Sequence, residues 1–409
     1  MEQKAVKKPN TLVYSLYVFA SKIVSKLLFN LKYDKKEFKN VKGPCLILAN
    51  HESKLDFIFL AAALGRKAHF VISNSFYQVN PIKPLITAAG VIPKQQFQTS
   101  LSDMRKIKSS LENNIPLIIY PAGMMSENGL ATPIPKATGK TAKWLGHDVY
   151  VAYITGSYLS NPKWSNKWRK GKINISIKKL YSKEELPNIE ADEVQKTIEK
   201  ELYYDAYENQ EKLLTPYKGG NNIEGIENVL YWCPKCNSYH TFEVKNKNTL
   251  ICKKCGNKAV ANKYGFLEKG NEESIIYKHP SKWSLKIKEN LEKEIISNKD
   301  FLLSDYCEIK MINHKKKKFV TVGNGLITLN HNQFELEGEI NRSAFLKSFN
   351  IDLYPILPFK PGSHFEIQDG KDIYRIILKH KENTAKWISS LEILNRLHQE
   401  SKKEKHPVK

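Results

Sequence analysis

Four of the six cysteines fall into two CxxC pairs, Cys233 and Cys236 in CPKC and Cys252 and Cys255 in CKKC, with fifteen residues between the pairs. A CxxC pair bends into a knuckle that points two thiolates the same way. Two such knuckles close a tetrahedron around Zn²⁺. With all four ligands from protein no coordination position stays open, so the pattern implies a structural metal, and His240 is not needed as a ligand. It also bounds a module over about 229–262 that is too short to hold a core without a staple. Cys45 and Cys307 stand alone. Clustered pairs beside lone cysteines fit a reducing compartment and metal ligation, not a disulfide framework.

Upstream of that module, short apolar runs alternate with helical patterns, as in an α/β domain. CLILA (45–49), AHFVIS (68–73), LIIY (117–120) and VYVAYI (149–154) read as strands, and INISIK (173–178) alternates like a half-exposed edge strand. Helices are expected from Asp56 to Leu64, closed by Gly65, and from Leu101 to Leu111 behind a Ser100 N-cap. Residues Thr215–Glu227, rich in Gly and Asn, read as a linker. After the cysteine module come a basic helical stretch over about 281–297, short strands with turn signals from 301 to 380, and a helix from 384 to 399 carrying Trp387, Leu391 and Leu394 on one face. The expected organisation is 1–36 as an interfacial helix, 37–205 as the α/β domain, 206–228 as linker, 229–262 as a zinc ribbon, 263–300 as a basic helical connector, and 301–400 as a β-rich domain.

The formal net charge of +23 favours polyanionic partners. Six Arg stand against 59 Lys. Base readout favours the Arg fork, so this composition fits diffuse attraction to an anionic phospholipid membrane better than sequence-specific nucleic-acid binding. A lysine-biased proteome is the plainer alternative. TLVYSLYVFASKIVSKLLFNLKY (11–33) has an uncharged run that stops at Lys22. A spanning helix needs roughly 20 apolar residues. The segment therefore reads as a helix lying in the interface with Lys22 and Lys26 towards the headgroups, or else as an ordinary packed helix. No small-residue cleavage site follows it.

NHESKLD (50–56) sits where a strand ends and a helix begins, the place where α/β folds present reactive groups. His51 there can act as a general base, and Asp56 five residues on can fix its tautomer. Cys45 and Ser53, close by, read as structural.

This segment resembles the HxxxxD motif of the phospholipid and glycerol acyltransferase family. Three further blocks follow in that family's order: AGVIPK (89–94), IIYPAGMMSENG (118–129) and VYVAYITGS (149–157). The resemblance spans about residues 10–200. It implies a glycerolipid-acyltransferase-type sheet covered by helices, with His51 and Asp56 as the catalytic pair. It further implies acyl-CoA or acyl-carrier protein as acyl donor and a lysophospholipid or glycerol-phosphate-like acceptor. Lys94 takes the position that helps hold the acceptor's phosphate, and Gly123, Ser126, Glu127 and Lys136 are the other expected substrate-binding residues. Backbone N–H groups around Gly123 are the expected oxyanion donors. In the third block Ala122 and Met125 replace the family's Glu and Arg. Glu127 is the candidate to supply the lost carboxylate, and Lys136, Lys140 or Arg105 the lost cation. The order of elements after residue 301 resembles a pleckstrin-homology-type barrel, in which the basic loop 314–318 would meet lipid headgroups; an unrelated small α+β domain is the alternative.

These readings converge on a peripheral acyltransferase at the cytoplasmic face of a membrane. A catalytically inactive lipid-binding scaffold, suggested by Ala122 and Met125, and a zinc-ribbon nucleic-acid binder, suggested by the net charge, are the competing functions.

Overall fold

The structure is a computed structural model that describes residues 6–96 and 100–405. The first five residues of the expected interfacial segment, residues 97–99 and residues 406–409 lie outside the described residues. The chain divides into two compact units. The first runs to Asn221 without Trp164–Asn166 and includes Lys263–Gly265; the second holds the remainder.

In the first unit, helix α1 (Thr11–Phe29) leads into β1 (Leu31–Tyr33), α2 (Lys35–Asn40), β2 (Cys45–Ala49), α3 (Asp56–Leu64), β3 (His69–Ser73), α4 (Asn74–Val79), α5 (Lys83–Ala88) and β4 (Ile92–Lys94). Next come α6 (Leu101–Leu111), β5 (Leu117–Ile119), α7 (Thr138–Leu145), β6 (Asp148–Thr155), a single turn α8 (Ser157–Ser160), β7 (Ile173–Tyr181), α9 (Ala191–Leu202) and α10 (Ala206–Leu213). The strands form one seven-stranded sheet in the order β1-β7-β6-β2-β5-β3-β4. It is parallel except that β7 runs antiparallel to β6.

All five residues of β2 are buried because it lies mid-sheet with both faces covered. Cys45, Ile47 and Ala49 pack with Phe59 and Leu60 of α3 on one face. Leu46 and Leu48 pack with Ile107 of α6 and Val194 and Ile198 of α9 on the other. β7 is not the edge strand its alternation suggests: Leu31–Tyr33 pairs with Ile173–Ile175, a three-residue cover too short to change the pattern of the rest. Residues 206–213, expected as linker, are helix α10, capped by the Asp205 carboxylate accepting from Tyr207 N and Glu208 N.

Helix α1 turns two stripes in opposite directions. Tyr14, Val18, Ser21, Ser25 and Phe29 are buried. Leu12, Leu16, Phe19, Ile23 and Leu27 face outward, with Leu16 59% and Phe19 63% exposed. Its 19 residues make it long and apolar enough to cross a membrane by length and composition. That is longer than its uncharged run suggests.

The second unit opens with β8 (Phe242–Lys245), β9 (Thr249–Cys252), β10 (Lys258–Ala261) and β11 (Leu267–Lys269), a four-stranded antiparallel sheet. β11 thus extends the cysteine module's sheet into the stretch expected as a connector. Helix α11 (Pro280–Ser297) follows. Then come β12 (Leu303–Asn313), β13 (Lys318–Leu329), β14 (Gln333–Ile340), β15 (Ser343–Asn350), β16 (Phe359–Lys360), β17 (His364–Asp369), β18 (Asp372–Leu378) and α12 (Thr384–Lys405). These strands make a second seven-stranded sheet, antiparallel throughout, in the order β15-β14-β13-β12-β18-β17-β16. Trp387 of α12 stacks on Phe365 of β17 at 5.9 Å between ring centroids.

Candidate active site

The carboxyl ends of β6, β2 and β5, three adjacent parallel strands, deliver the first, third and fourth sequence blocks to one place. Where β2 leaves the sheet, Asn50 imitates one more ladder residue: its Nδ2 donates to Ile154 O at 2.8 Å and its Oδ1 accepts from Ile154 N at 2.7 Å. The turn that follows carries His51, and Asp56 opens α3.

Asp56 is fully buried, and every group around its carboxylate donates to it. Oδ2 accepts from Glu52 N at 2.7 Å and Ser53 N at 2.9 Å and faces His51 Nδ1 at 2.8 Å. Oδ1 accepts from Ser157 Oγ at 2.5 Å and, more loosely, from Ser53 Oγ at 3.4 Å. Asp56 also sits in the first turn of α3, where a negative charge complements the helix dipole. A carboxylate at Nδ1 puts the imidazole proton there and leaves the Nε2 lone pair free. Nε2 has no hydrogen-bond partner among the described residues.

The His51 side chain is 21% exposed, and its ring stacks on Tyr120 at 4.5 Å. Its backbone oxygen accepts from Ser126 N and from Tyr204 Oη, both at 3.1 Å. A small cleft opens beside it, lined by His51, Pro121, Ala122, Thr132, Ile134 and Tyr204 among others. The space it encloses is only about 10 Å³, room for about one water, so an acyl chain needs the cleft to widen. Burial pushes the Tyr120 phenol well up, with Asp56 adding to it, so Tyr120 stays neutral. Tyr17 of α1 donates to Phe57 O at 2.9 Å and its ring stacks on Phe57, which brings the buried side of α1 against α3.

The expected substrate-binding residues fall into three groups. Gly123 turns the third block at φ +68°, but its N–H already donates to Tyr120 O at 3.0 Å, which removes it from the expected oxyanion donors. Ser126 is sealed inside its loop, its hydroxyl donating to Leu130 O at 2.7 Å and accepting from Gly129 N at 2.9 Å. Both residues build the loop. Glu127 is half-buried, its carbonyl accepting from Tyr158 Oη at 3.3 Å. Lys94, half-buried, donates to Gln95 O at 3.0 Å; burial lowers its pKa and Asp103 pulls it back up. Gln96 Nε2 reaches Gly123 O at 2.6 Å, bringing the second block beside the third. Lys136 is exposed two residues past cavity-lining Ile134, and Lys140 and Arg105 are exposed too. Cys45 lies inside β2, where burial pushes its thiol up to about 12, as suits an inert packing residue.

Glu52, Ser157, Tyr120 and Tyr204 escaped the local reading of the sequence. Ser157 is 101 residues from Asp56, and only the β2–β6 pairing brings them together.

In the second unit, the Sγ atoms of Cys233, Cys236, Cys252 and Cys255 all lie within 4.8 Å of one another. Cys233–Cys255 is 3.7 Å and Cys236–Cys252 is 3.8 Å. A tetrahedron with Zn–S near 2.3 Å has edges of about 3.8 Å. The two knuckles repeat one geometry. Asn237 N donates to Cys233 O and Gly256 N to Cys252 O, each at 2.9 Å, with Asn237 at φ +56° and Gly256 at φ +71°. Asn257 Nδ2 lies 3.6 Å from Cys233 Sγ and Thr241 Oγ1 3.2 Å from Cys252 Sγ, partners suited to thiolates. The residues therefore fit a tetrahedral metal ion. His240 stacks on Tyr231 and is not one of the four.

Residues 30–155 match the family model described as Acyltransferase. Over 161 residues the chain is 24% identical to human 1-acyl-sn-glycerol-3-phosphate acyltransferase beta, covering 37% of this chain and 56% of that protein. The chain thus spans little more than half the length of this curated relative. The fold has a likeness to the crystal structure of the 1-acyl-sn-glycerophosphate (LPA) acyltransferase PlsC from Thermotoga maritima. The TM-score is 0.41 and the identity 16%, over 49% of this chain and 79% of that one.

Proposed function

We propose that the first unit transfers a fatty acyl group from a thioester, acyl-CoA or acyl-carrier protein, to a hydroxyl of a lysophospholipid or glycerol-phosphate-like acceptor. The observation that carries this is the 2.8 Å contact between His51 Nδ1 and Asp56 Oδ2, with Nε2 unpartnered beside a cavity. His51 Nε2 takes the acceptor's hydroxyl proton as the oxygen attacks the thioester carbonyl. The imidazolium that forms is steadied by Asp56 and returns the proton to the departing thiolate. No acyl-enzyme is needed. With Gly123 N engaged, the amides of Ala122, Met124 and Met125 are the candidates to receive the developing oxyanion. Lys94 is the candidate for the acceptor's phosphate, with Glu127 and Lys136 at the mouth of the same loop.

The outward stripe of α1 supports peripheral attachment. A helix that buries one side on its own domain and offers Leu12, Leu16, Phe19, Ile23 and Leu27 on the other suits a bilayer interface at the cytoplasmic face. In the second unit, the strand order with a closing helix supports the pleckstrin-homology-type reading. The exposed 314–318 turn between β12 and β13 is its candidate contact for anionic headgroups. The four cysteines are the candidate holders of a structural Zn²⁺, which would cross-link the two knuckles.

A lipid-binding scaffold is the second reading. It is favoured by Ala122 at the cavity wall and by the small cavity volume. Thiol release from acyl-CoA with lysophosphatidate, with product identified by mass spectrometry, separates the two. Acylated product supports transfer. Vesicle binding without product on any donor and acceptor pair supports the scaffold.

A further inference from the structure

Glu52, the neighbour of His51, is fully buried, yet the reaction above gives it no task. Its Oε2 accepts from Tyr158 N at 2.9 Å, while Oε1 has no hydrogen-bond partner among the described residues. Asp56, four residues on, is surrounded by donors at both oxygens. Two carboxyls therefore share one sealed turn with very unequal support. Both are tied to the start of α8, Asp56 through the Ser157 hydroxyl and Glu52 through the Tyr158 amide.

The groups that act on Glu52, or on which it acts, are Asp56 from α3 and the phenols of Tyr153 on β6, Tyr204 and Tyr217. Burial pushes each of these phenols up, so they stay neutral. The Arg169 guanidinium interacts with Tyr158, Tyr207 and Tyr217. Glu52 thus faces one carboxylate and a ring of neutral phenols. A buried carboxylate with a bare oxygen is costly, and a second one beside Asp56 more so.

We propose that Glu52 is a positioning residue that carries a proton in the folded protein: as a neutral carboxyl it latches the 50–56 turn to Tyr158 and keeps a second negative charge away from the His51–Asp56 pair. Its titration agrees. Burial pushes the Glu52 carboxyl up to about 8, against the pull of the Tyr158 and Ser157 amides and with Asp56 adding to the rise. Environments that drive two neighbouring carboxyls apart commonly assign them different duties. The consequence for catalysis rests on reading His51 as the general base; the protonation of Glu52 does not. When Glu52 ionises, a second negative charge with a bare oxygen is set beside Asp56 inside the sealed turn, and its repulsion disturbs the placement of the His51–Asp56 pair.

The test compares the full chain with Glu52→Gln, which keeps an acceptor for Tyr158 N but cannot ionise. Unfolded Glu loses its proton near 4.3, whereas folded Glu52 keeps it to about 8. Between those values the folded state binds the extra proton, so wild type loses stability relative to the variant as pH rises. The difference in Tm, wild type minus variant, is expected to fall steadily from about pH 5 to about pH 8 and then to level. A difference that stays flat across that window overturns the proposal. If the variant does not fold, the infrared protonated-carboxyl stretch decides. It is read in a Glu227→Gln background, because burial raises Glu227 too. The band is expected at neutral pH and lost near 8, and its absence at neutral pH overturns the proposal. Acyl transfer by wild type is expected to decline on the alkaline side with that same midpoint, and the Glu52→Gln profile to lack that limb; an unchanged limb overturns the positioning role. If no acyl transfer is found, the function reading fails while the Tm comparison still decides where the proton sits.

Discussion

Replacing Ser157 by Ala strikes the support of Asp56 without touching His51. The hydroxyl donates to Asp56 Oδ1 at 2.5 Å and shares a 2.6 Å hydrogen bond with Ser53 Oγ. All three residues are buried, and the remaining donor to Oδ1, Ser53 Oγ, sits at 3.4 Å. A hydrogen bond to a charged group contributes about 1.5–3 kcal/mol. The substitution removes a single oxygen, so the cavity cost is small. Urea unfolding is therefore expected to show a loss of about 2 kcal/mol. A loosened Asp56 steers the imidazole less well, and about 1.4 kcal/mol of lost transition-state stabilisation lowers turnover about tenfold. The same substitution in an Asp56→Asn background isolates the pair. There the bond is neutral on both sides, and the loss is expected to shrink to about 1 kcal/mol or less. A loss below about 0.5 kcal/mol in the wild-type background, or the same loss in both backgrounds, would refute the view that Ser157 holds a carboxylate.

Three other outcomes are expected. His69 opens β3 and is fully buried, with Nδ1 2.7 Å from Gly90 O and Nε2 3.0 Å from Asn113 Nδ2, an arrangement that fits only the neutral ring. Burial lowers its pKa, so the unfolded chain takes up the proton first and stability falls as pH drops below about 6.5. His69→Gln should flatten that acid limb in thermal unfolding, and an unchanged limb assigns it elsewhere. Phe19→Asp combined with Leu16→Asp should leave the thermal midpoint within a degree or two and weaken binding to anionic vesicles by at least about tenfold, since burying each side chain in lipid contributes about 1.5–3 kcal/mol; undiminished co-sedimentation counts against the α1 stripe. Zinc analysis should find one ion per chain, lost in Cys236→Ser, and chelation should expose the 233–255 knuckles to amide exchange; full protection without metal contradicts a metal staple.

Much of the central sheet is legible from local pattern because its strands are buried on both faces and read as unbroken apolar runs. β2 and α3 begin and end where CLILA and the Asp56–Gly65 run place them. The cysteine spacing likewise leads to a compact thiol cluster. What local pattern hides is produced by partners distant in the chain. The TGKTAKWL segment is helix α7, fitted so closely to α9 that a Cβ at Gly139 would lie 2.4 Å from Ala191 O. The short helices α4 and α5 bury no side chain and so carry no periodic signal. At the site, the motif supplies His51 and Asp56, whereas the groups that hold them arrive through the sheet: Asn50 on Ile154, Ser157 on Asp56, Tyr204 on the His51 carbonyl. Gly123 and Ser126 run the other way. Their place in a family-like loop suggests substrate contact, but the Gly123 amide and the Ser126 hydroxyl donate inside the loop and the Ser126 amide donates to His51 O.

Under the proposed function, the unpartnered nitrogen of His51 removes a proton during acyl transfer. Turnover of acyl-CoA with lysophosphatidate should be compared at saturating substrate between wild type and His51→Ala, a substitution at a partly exposed side chain that leaves the sheet intact. Loss of a general base is worth about 10²- to 10⁴-fold in rate. A fall in that range, with vesicle binding and Tm preserved, is the expected result. Turnover equal to wild type in His51→Ala, with the acylated product confirmed, would contradict it.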